Sequence, residues 1–256
     1  MKLGLIGTGI IGEAFVRGLI NVGRFEDEIW VSRRSDSRST SLAADFAQIS
    51  IANENQEILD RCDTLILAVL PEQVESVLQD LQFRDDHLLL SIVSSITLKS
   101  LSQWAAPCTQ IYRGIPLPPI EFGVGPIPIC PPCPQLEPML SSVGTVVSLT
   151  DEDQFLSIAV GSALMAMFYE MVSKTAMFMQ KGGLPPHESA LYATSMWHAL
   201  AGNTTRVDHQ ELHQMSNDCL TPGGLNEQVL FGLRDANWYG LLEKEMDGIK
   251  ERLSRY

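Results

Sequence analysis

The chain has 256 residues and a formal charge of −13, with 31 acidic against 18 basic side chains. A surface this acidic repels phosphate backbones, which argues against nucleic acid or an anionic membrane as the main partner. Hydrophobic residues make up 45% and charged residues 19%, an ordinary globular composition that excludes a disordered or fibrous chain.

The cysteines and the N-terminus point to a reducing compartment. Five cysteines, an odd number in a chain of this length, do not form a disulfide framework. The first residues lead directly into strand-like sequence without the pattern of a signal peptide. We therefore expect a cytoplasmic protein. The longest apolar stretch, residues 158–179, contains Glu170 and Lys174, so we interpret it as a buried helix rather than a membrane span.

The first half of the chain alternates short apolar runs with helix-like segments. Strands are predicted over residues 2–6, 28–32, 64–69 and 88–93, and helices over 12–22, 41–47, 72–81 and 98–105. The run at 64–69 is apolar throughout, as expected of a strand buried on both faces. This alternation predicts parallel βαβ units in a doubly wound sheet.

The pattern changes after residue 108. The proline-rich segment 115–138 predicts neither a regular helix nor a central strand. Beyond it only helices are predicted, over residues 151–179, 186–202, 208–215, 224–232 and 238–255. We therefore predict an α/β protein with a Rossmann-like dinucleotide-binding domain over residues 1–150. An all-helical substrate and dimerisation domain is predicted over residues 151–256.

A glycine-rich motif follows the first predicted strand and opens the first predicted helix. It matches G-x-G-x-x-G and consists of Gly7, Thr8, Gly9, Ile10, Ile11 and Gly12. The glycines permit a tight turn, a close approach of the backbone to a pyrophosphate and close packing of helix on strand. The helix N-terminus would offer its free N–H groups to the phosphates. The alternative is a glycine-rich turn without a ligand.

The end of the second predicted strand bears on the choice of coenzyme. An NAD site usually places an acidic residue about 20 residues beyond the motif. Here the chain has Ser32, Arg33 and Arg34, with Arg38 close behind, and these side chains suit a 2′-phosphate. The sequence therefore favours NADP. Asp36 leaves NAD as the less favoured coenzyme, and a solvated basic turn is the alternative without a ligand.

Six segments together carry a resemblance to one family. They are residues 7–12, 68–71, 91–96, 113–119, 161–165 and 221–226. In this order they are similar to motifs of pyrroline-5-carboxylate reductase, the imine reductase that makes proline: G-x-G-x-M/I-G, A-V-K-P, S-I-x-A-G-I, R-x-M-P-N-x-P, G-S-G-P-A and S-P-G-G-x-T. The resemblance implies that Ala68, Val69 and Pro71 also contact the coenzyme.

Five of the chain's departures from these motifs bear on its function. Leu70 stands for a lysine, Leu117 for an asparagine, Ala163 and Leu164 for a Gly-Pro pair, and Asn226 for a threonine. The fold and the coenzyme do not depend on these residues, whereas the identity of the substrate does.

The last motif is the predicted substrate site. Its proline and paired glycines make a tight turn before a predicted helix, where free N–H groups of Gly224, Leu225 and Asn226 would hold a substrate carboxylate. The resemblance implies that Gly223 belongs to the same site and that Thr221 and Asn226 are the catalytic positions. A plain helix-entry turn is the alternative.

Two other patterns have the spacing of metal ligands, and we predict no metal at either. Cys130 and Cys133 form a C-x-x-C pair, but no second pair follows. His209 and His213 are four residues apart, but Gln210 stands where a zinc peptidase has glutamate.

The resemblance implies NADPH-dependent reduction of a cyclic imino acid, with 1-pyrroline-5-carboxylate as the first candidate and proline as the product. Two alternatives stay open: a related NADP-dependent oxidoreductase for another imine or carbonyl compound, and a catalytically silent NADP-binding protein. The predicted helix at residues 161–179 is apolar around most of its circumference, which predicts a homodimer or a higher homo-oligomer.

Overall fold

The structure is a computed structural model that describes residues 1–33, 36–208 and 210–254, except for the side chain of Asp36. The chain divides into two compact units, residues 1–155 and 156–256. The predicted boundary, after residue 150, differs from this division by five residues.

The first unit is built on one sheet. Its described residues form eight strands: β1 (Leu3–Ile6), β2 (Ile29–Val31), β3 (Ile49–Ile51), β4 (Thr64–Leu67), β5 (Leu88–Ser91), β6 (Gln110–Gly114), β7 (Pro126–Cys130) and β8 (Thr145–Ser148). Their order is β3-β2-β1-β4-β5-β6-β7-β8. All neighbours are parallel except β6 and β7. The predicted doubly wound parallel sheet is confirmed, apart from the one antiparallel pair.

Helices connect these strands. They are α1 (Ile10–Asn21), α2 (Asp36–Asp45), α3 (Asn55–Arg61), α4 (Val74–Gln79), α5 (Leu98–Trp104) and α6 (Glu137–Ser141), together with the 3-10 turns Pro71–Gln73 and Pro118–Phe122. The chain leaves β1 toward β2 on one side and later leaves β4 toward β5 on the other. The crevice at the carboxyl ends of β1 and β4 is the place where such sheets bind ligands.

The central strands are buried on both faces. In β4, Ile66 packs into one hydrophobic cluster with Phe15 of α1, whereas Leu65 and Leu67 pack into another cluster with Ile58 of α3. Successive side chains of a strand point to opposite faces, so both faces of β4 must be apolar. The prediction of a strand buried on both faces is confirmed.

The proline-rich segment does contain a central strand, so that part of the prediction is wrong. The prolines of β7, Pro126 and Pro128, alternate along the strand, and their missing N–H groups therefore face the same side. On that side β7 pairs with β6 over only two residue pairs, and the carbonyl of Pro128 accepts from the N–H of Ile115 at 3.1 Å. The other side pairs with β8 over four residue pairs.

The second unit is helical in its described residues. Its helices are α7 (Gln154–Ser162, which begins in the last residues of the first unit), α8 (Met165–Lys181), α9 (Pro186–Thr204), α10 (Met215–Asp218), α11 (Leu225–Asp235) and α12 (Trp238–Leu253). The predicted helix 151–179 is in fact two helices separated by a turn. The predicted helix 208–215 is wrong, because the described residues there form turns before α10.

One helical span is long and apolar enough, by length and composition alone, to cross a membrane. Among the described residues it is Gln154–Lys181, with a mean hydropathy of 1.7 over its most apolar window and only 11% of that window buried. Core helices of soluble proteins often meet the same two criteria. No residue of α8 is fully buried within the chain, so the prediction of a buried helix is wrong for the single chain.

Candidate coenzyme and substrate sites

The phosphate loop begins with a backbone turn that only glycine adopts easily. Gly7 ends β1 with φ of +99°, and a Cβ placed there would lie 2.7 Å from the backbone of Ala68. A Cβ on Gly12 would lie 2.6 Å from the carbonyl oxygen of Gly7. Both glycines are therefore required for α1 to pack closely over the ends of β1 and β4.

The start of α1 has the features of an anion site. Gly9 is its N-terminal cap, and no side chain caps the first turn. The first intrahelical bond runs from the N–H of Glu13 to the carbonyl of Gly9, which leaves the amides of the first turn directed away from the helix. Since Gly9 has no Cβ, a phosphate can approach these amides closely. These residues fit the diphosphate of a dinucleotide.

Ser32 holds the loop in this shape. Its hydroxyl, which is buried, accepts a hydrogen bond from the N–H of Gly7 at 2.8 Å. Its carbonyl accepts from the hydroxyl of Thr8 at 3.3 Å. The structure thus gives Ser32 a supporting contact to the phosphate loop, and its predicted contact with a 2′-phosphate stays a prediction.

The basic side chains after β2 have acidic or polar neighbours that spacing did not reveal. Nη2 of Arg33, an exposed residue, donates to Oδ1 of Asn53 at 3.4 Å. Nη1 of Arg38 donates to the carboxylate of Glu13 at 2.6 Å. Arg34 was also predicted to bind the coenzyme, and it lies outside the described residues. The contacts of Glu13 and Asn53 could not be predicted from the sequence, because these residues are 25 and 20 positions away from their partners.

The segment after β4 lies beside the phosphate loop. The N–H of Ala68 donates to the carbonyl of Ile6 at 2.8 Å, and Val69 would contact a Cβ placed on Gly7. Leu70, which stands for the lysine of the resemblance, is 58% exposed, and Pro71 starts a 3-10 turn. The structure therefore brings Gly7–Gly12, Ser32 and residues 68–71 to one edge of the sheet.

The predicted substrate turn lies in the second unit. Gly223 has φ of +71°, and Gly224 is the N-terminal cap of α11. The N–H of Gly224 donates to the carbonyl of Thr221 at 2.8 Å, so the prediction of a free amide there is wrong. The side-chain amide of Asn226 donates to the carbonyl of Cys219 at 3.2 Å. The first-turn amides of Leu225 and Asn226 remain the candidates for holding a carboxylate.

A glutamate of α11 also contributes to this turn. The carboxylate of Glu227 accepts from the N–H of Gly223 at 2.7 Å, which fixes the loop directly before the helix. This contact was not predicted from the sequence. A signal for it was present, because an acidic residue in the first turn of a helix often reaches back to amides that precede it.

The two patterns with the spacing of metal ligands are the C-x-x-C pair and the histidines four residues apart. Cys130 and Cys133 are free thiols, and both are buried. Across residues 1–33, 36–208 and 210–254, no group of three or more His, Cys, Asp and Glu side chains is placed to hold a metal ion. His209 lies outside the described residues.

Comparison with known proteins finds similarity to reductases. A sequence-family model described as NADP oxidoreductase coenzyme F420-dependent matches residues 2–95. Pyrroline-5-carboxylate reductase 3 of Xenopus laevis is 24% identical, with 100% of this chain and 94% of the relative covered. Pyrroline-5-carboxylate reductase of Pseudomonas aeruginosa is 23% identical, with 98% and 95% covered.

Solved structures share the fold across the whole chain. The pyrroline-5-carboxylate reductase of Coxiella burnetii superposes with a TM-score of 0.84 at 21% identity, covering 99% of this chain and 97% of that one. The Plasmodium falciparum pyrroline carboxylate reductase with NADP bound gives 0.82 at 19% identity, with the same coverage. The full-length matches extend through both units, and they agree with the ordered motifs. The chain is therefore similar to pyrroline-5-carboxylate reductases over nearly its full length, and it shares their fold.

Proposed function

We propose that this protein is an NADPH-dependent reductase of a cyclic imino acid, with 1-pyrroline-5-carboxylate as substrate and proline as product. The observation that carries the proposal is the match to pyrroline-5-carboxylate reductases over nearly the full length of the chain. The open first turn of α1, preceded by a glycine loop that Ser32 holds in place, supports the coenzyme part of the proposal.

The chain's own residues would bind and orient. The amides of the first turn of α1 bind the diphosphate, and Arg33 and Arg34 carry positive charge to the 2′-phosphate. When bound, NADPH would supply the hydride for the C=N carbon, and the nitrogen would take its proton from water. The amides of Leu225 and Asn226, at the start of α11, hold the substrate carboxylate, with Gly223 and Gly224 shaping the turn.

Thr221 and Asn226 are proposed to lie against the substrate. Asn226 can donate one hydrogen bond to the carbonyl of Cys219, as it does here, and a second to an imino acid, because a side-chain amide has two N–H groups. A threonine hydroxyl has only one. The substitution therefore keeps a donor at this position while fixing its orientation through the backbone.

The test is an assay of NADPH oxidation with 1-pyrroline-5-carboxylate, run beside calorimetric titration of NADPH. Binding with turnover supports the proposal, and binding without turnover of this substrate contradicts the assignment of the substrate. The departures at Leu117, Leu164 and Asn226 favour one second candidate, a reductase of another imine or carbonyl compound. A panel of cyclic imines and ketones distinguishes the two. A protein that binds NADPH and reduces none of them is a silent NADP-binding protein.

We also propose that the helical domain, residues 151–256, forms the contact of a cytoplasmic homodimer or higher homo-oligomer. α8 exposes large apolar side chains along its length: Phe168, Tyr169, Met177 and Phe178. Phe178 is 77% exposed, a costly position for an aromatic ring in a single chain. The occupant that we propose for this face is α8 and its neighbours from a second copy of the chain.

Sedimentation equilibrium tests this contact. Phe178→Glu should shift the protein toward the monomer, because it would bury a charge in the contact. Phe122→Glu is the matched control, since Phe122 is 72% exposed and lies in the first unit. A monomeric wild-type protein, or one that sediments with lipid vesicles through Gln154–Lys181, would contradict the proposal.

A further inference from the structure

Glu13 is an unexpected residue at a phosphate site. It follows the last glycine of the phosphate loop and lies in the first turn of α1, where the proposed diphosphate binds. A carboxylate in the same helical turn as a bound phosphate repels that phosphate unless the charge of the carboxylate is neutralised. In this structure it is neutralised, because Nε of Arg17 donates to it at 2.9 Å and Nη1 of Arg38 at 2.6 Å. The side chain of Glu13 is only 16% exposed.

The two arginines are not equivalent. Arg17 lies one turn along α1, and its Nη2 also pairs with Asp45 at 2.8 Å and contacts Ser41 at 3.2 Å. Its charge is therefore shared between two carboxylates. Arg38 comes from α2, and its side chain is 41% exposed. Glu13 holds it through Nη1, and a guanidinium has five N–H donors, so Arg38 can bind a second anion at the same time.

Arg38 also lies close to the segment that is proposed to bind the 2′-phosphate. It lies in the first turn of α2, directly after the basic segment that follows β2. Within this segment, Arg33 donates a hydrogen bond to Asn53, which follows β3. The carboxyl ends of β1, β2 and β3 meet at one edge of the sheet, so Glu13, Arg33 and Arg38 belong to the same edge.

We infer that Glu13 is a positioning residue, which holds Arg38 as a ligand of the coenzyme 2′-phosphate and thereby sets the preference for NADPH over NADH. This inference rests on the proposed function, since it requires that the chain bind a nicotinamide coenzyme. The amides of α1 meet the diphosphate in both coenzymes, whereas Arg38 meets a group that only NADPH carries.

Calorimetric titration with NADP⁺ and with NAD⁺ tests the inference without any reaction. Glu13→Gln keeps the size of the side chain and removes the charge that orients Arg38. We expect the ratio of the dissociation constants, NAD⁺ over NADP⁺, to fall about five- to tenfold, as for the loss of one charge-assisted hydrogen bond. NAD⁺ should bind as well as before or better, because the negative charge near the diphosphate has gone.

Two further variants separate positioning from simple stabilisation. Arg38→Gln should lower the ratio at least as much, and the Glu13→Gln, Arg38→Gln double variant no more than Arg38→Gln alone, because both act through one guanidinium. Arg17→Gln removes the other basic partner of Glu13 and also the contacts of Arg17 with α2. It should nevertheless leave the ratio within twofold of the wild-type value. Glu75→Gln, a first-turn glutamate of α4 hydrogen-bonded by Gln79 four residues on at 3.2 Å, is the matched control and should also leave it unchanged.

The outcomes distinguish this inference from the proposed function. A wild-type protein that binds neither coenzyme overturns both. A wild-type protein that prefers NADP⁺, with a ratio that Glu13→Gln leaves within twofold or that Arg17→Gln lowers equally, overturns the inference alone. A wild-type preference for NAD⁺ overturns it as well.

Discussion

A buried arginine at the end of β6 offers a sharp test of the energetics of the first unit. Arg113 is 5% exposed, donates to the carboxylate of Glu152, and donates through Nη2 to the carbonyl of Ser94 at 2.6 Å. Its guanidinium lies 4.7 Å from the ring centre of Phe155, and Glu152 also accepts from the N–H of Leu98 at 2.7 Å. This cluster joins β6, the loop after β5 and the last residues of the unit.

Removing Glu152 and removing Arg113 should lower the free energy of unfolding by different amounts. Glu152→Ala leaves a buried guanidinium whose remaining hydrogen-bond acceptor is the carbonyl of Ser94, and we expect a loss of about 3–5 kcal/mol in the free energy of unfolding. Arg113→Met leaves a carboxylate that is 25% exposed and still bound to the N–H of Leu98, so about 1–3 kcal/mol is expected. The double variant removes both charges, and its loss should fall short of the sum by at least about 1.5 kcal/mol.

Hydrogen exchange of β5 and β6, followed by mass spectrometry in increasing urea, measures this free energy for the first unit of the full chain. Asp85→Ala, an exposed acid in the turn before β5, is the control and should change stability by less than about 0.5 kcal/mol. A coupling energy below about 0.5 kcal/mol, or Arg113→Met more damaging than Glu152→Ala, would refute the reasoning.

Four further predictions concern the backbone and acid stability. Gly7→Ala should destabilise the chain by about 1–3 kcal/mol and weaken coenzyme binding at least tenfold, because φ is +99° there; urea unfolding and calorimetry check both. Gly18→Ala should destabilise by about 2 kcal/mol, since its Cβ would lie 2.3 Å from a carbonyl of the turn packed on α1. Gly248→Ala, in open space on α12, should stabilise by up to about 1 kcal/mol in thermal melts. Burial lowers the pKa of His87, whose neutral ring donates a hydrogen bond from Nε2 to the carbonyl of Leu59 at 3.0 Å. Its stabilisation is therefore present above the unfolded pKa near 6.5 and lost as pH falls, and His87→Asn should flatten the drop in urea midpoint between pH 7.5 and 5.5.

The fold was predictable where the sequence pattern coincided with burial. The four-residue strands β1, β4 and β5 are buried throughout, and each gave a continuous apolar run. β3 was missed, because Ile49–Ile51 is three residues long at the edge of the sheet, with only its first residue fully buried. β7 was excluded because of its prolines, and only the pairing pattern shows that both of their missing N–H groups face the short pairing with β6.

The candidate site was predictable only as far as it is local in sequence. The glycines of the phosphate loop lie within six residues of one another, so their spacing, together with the strand before and the helix after them, identified them. The contact between Glu13 and Arg38 joins residues 25 apart on two helices, and no periodicity encodes it. At the substrate turn, the sequence identified the helix start, but it could not show that the carbonyl of Thr221 already occupies the amide of Gly224.

Net charge and site charge are separate properties of this chain. A formal charge of −13 opposes extended polyanions, which must contact many surface groups at once. A coenzyme phosphate responds mainly to charges within about 8–10 Å, the screening length at physiological salt. At the phosphate loop, the first turn of α1 has free amides, and two arginines pair with Glu13. A protein with a strongly negative net charge can therefore bind a phosphorylated coenzyme, provided that each acidic group near the phosphate has a basic partner, as Glu13 has.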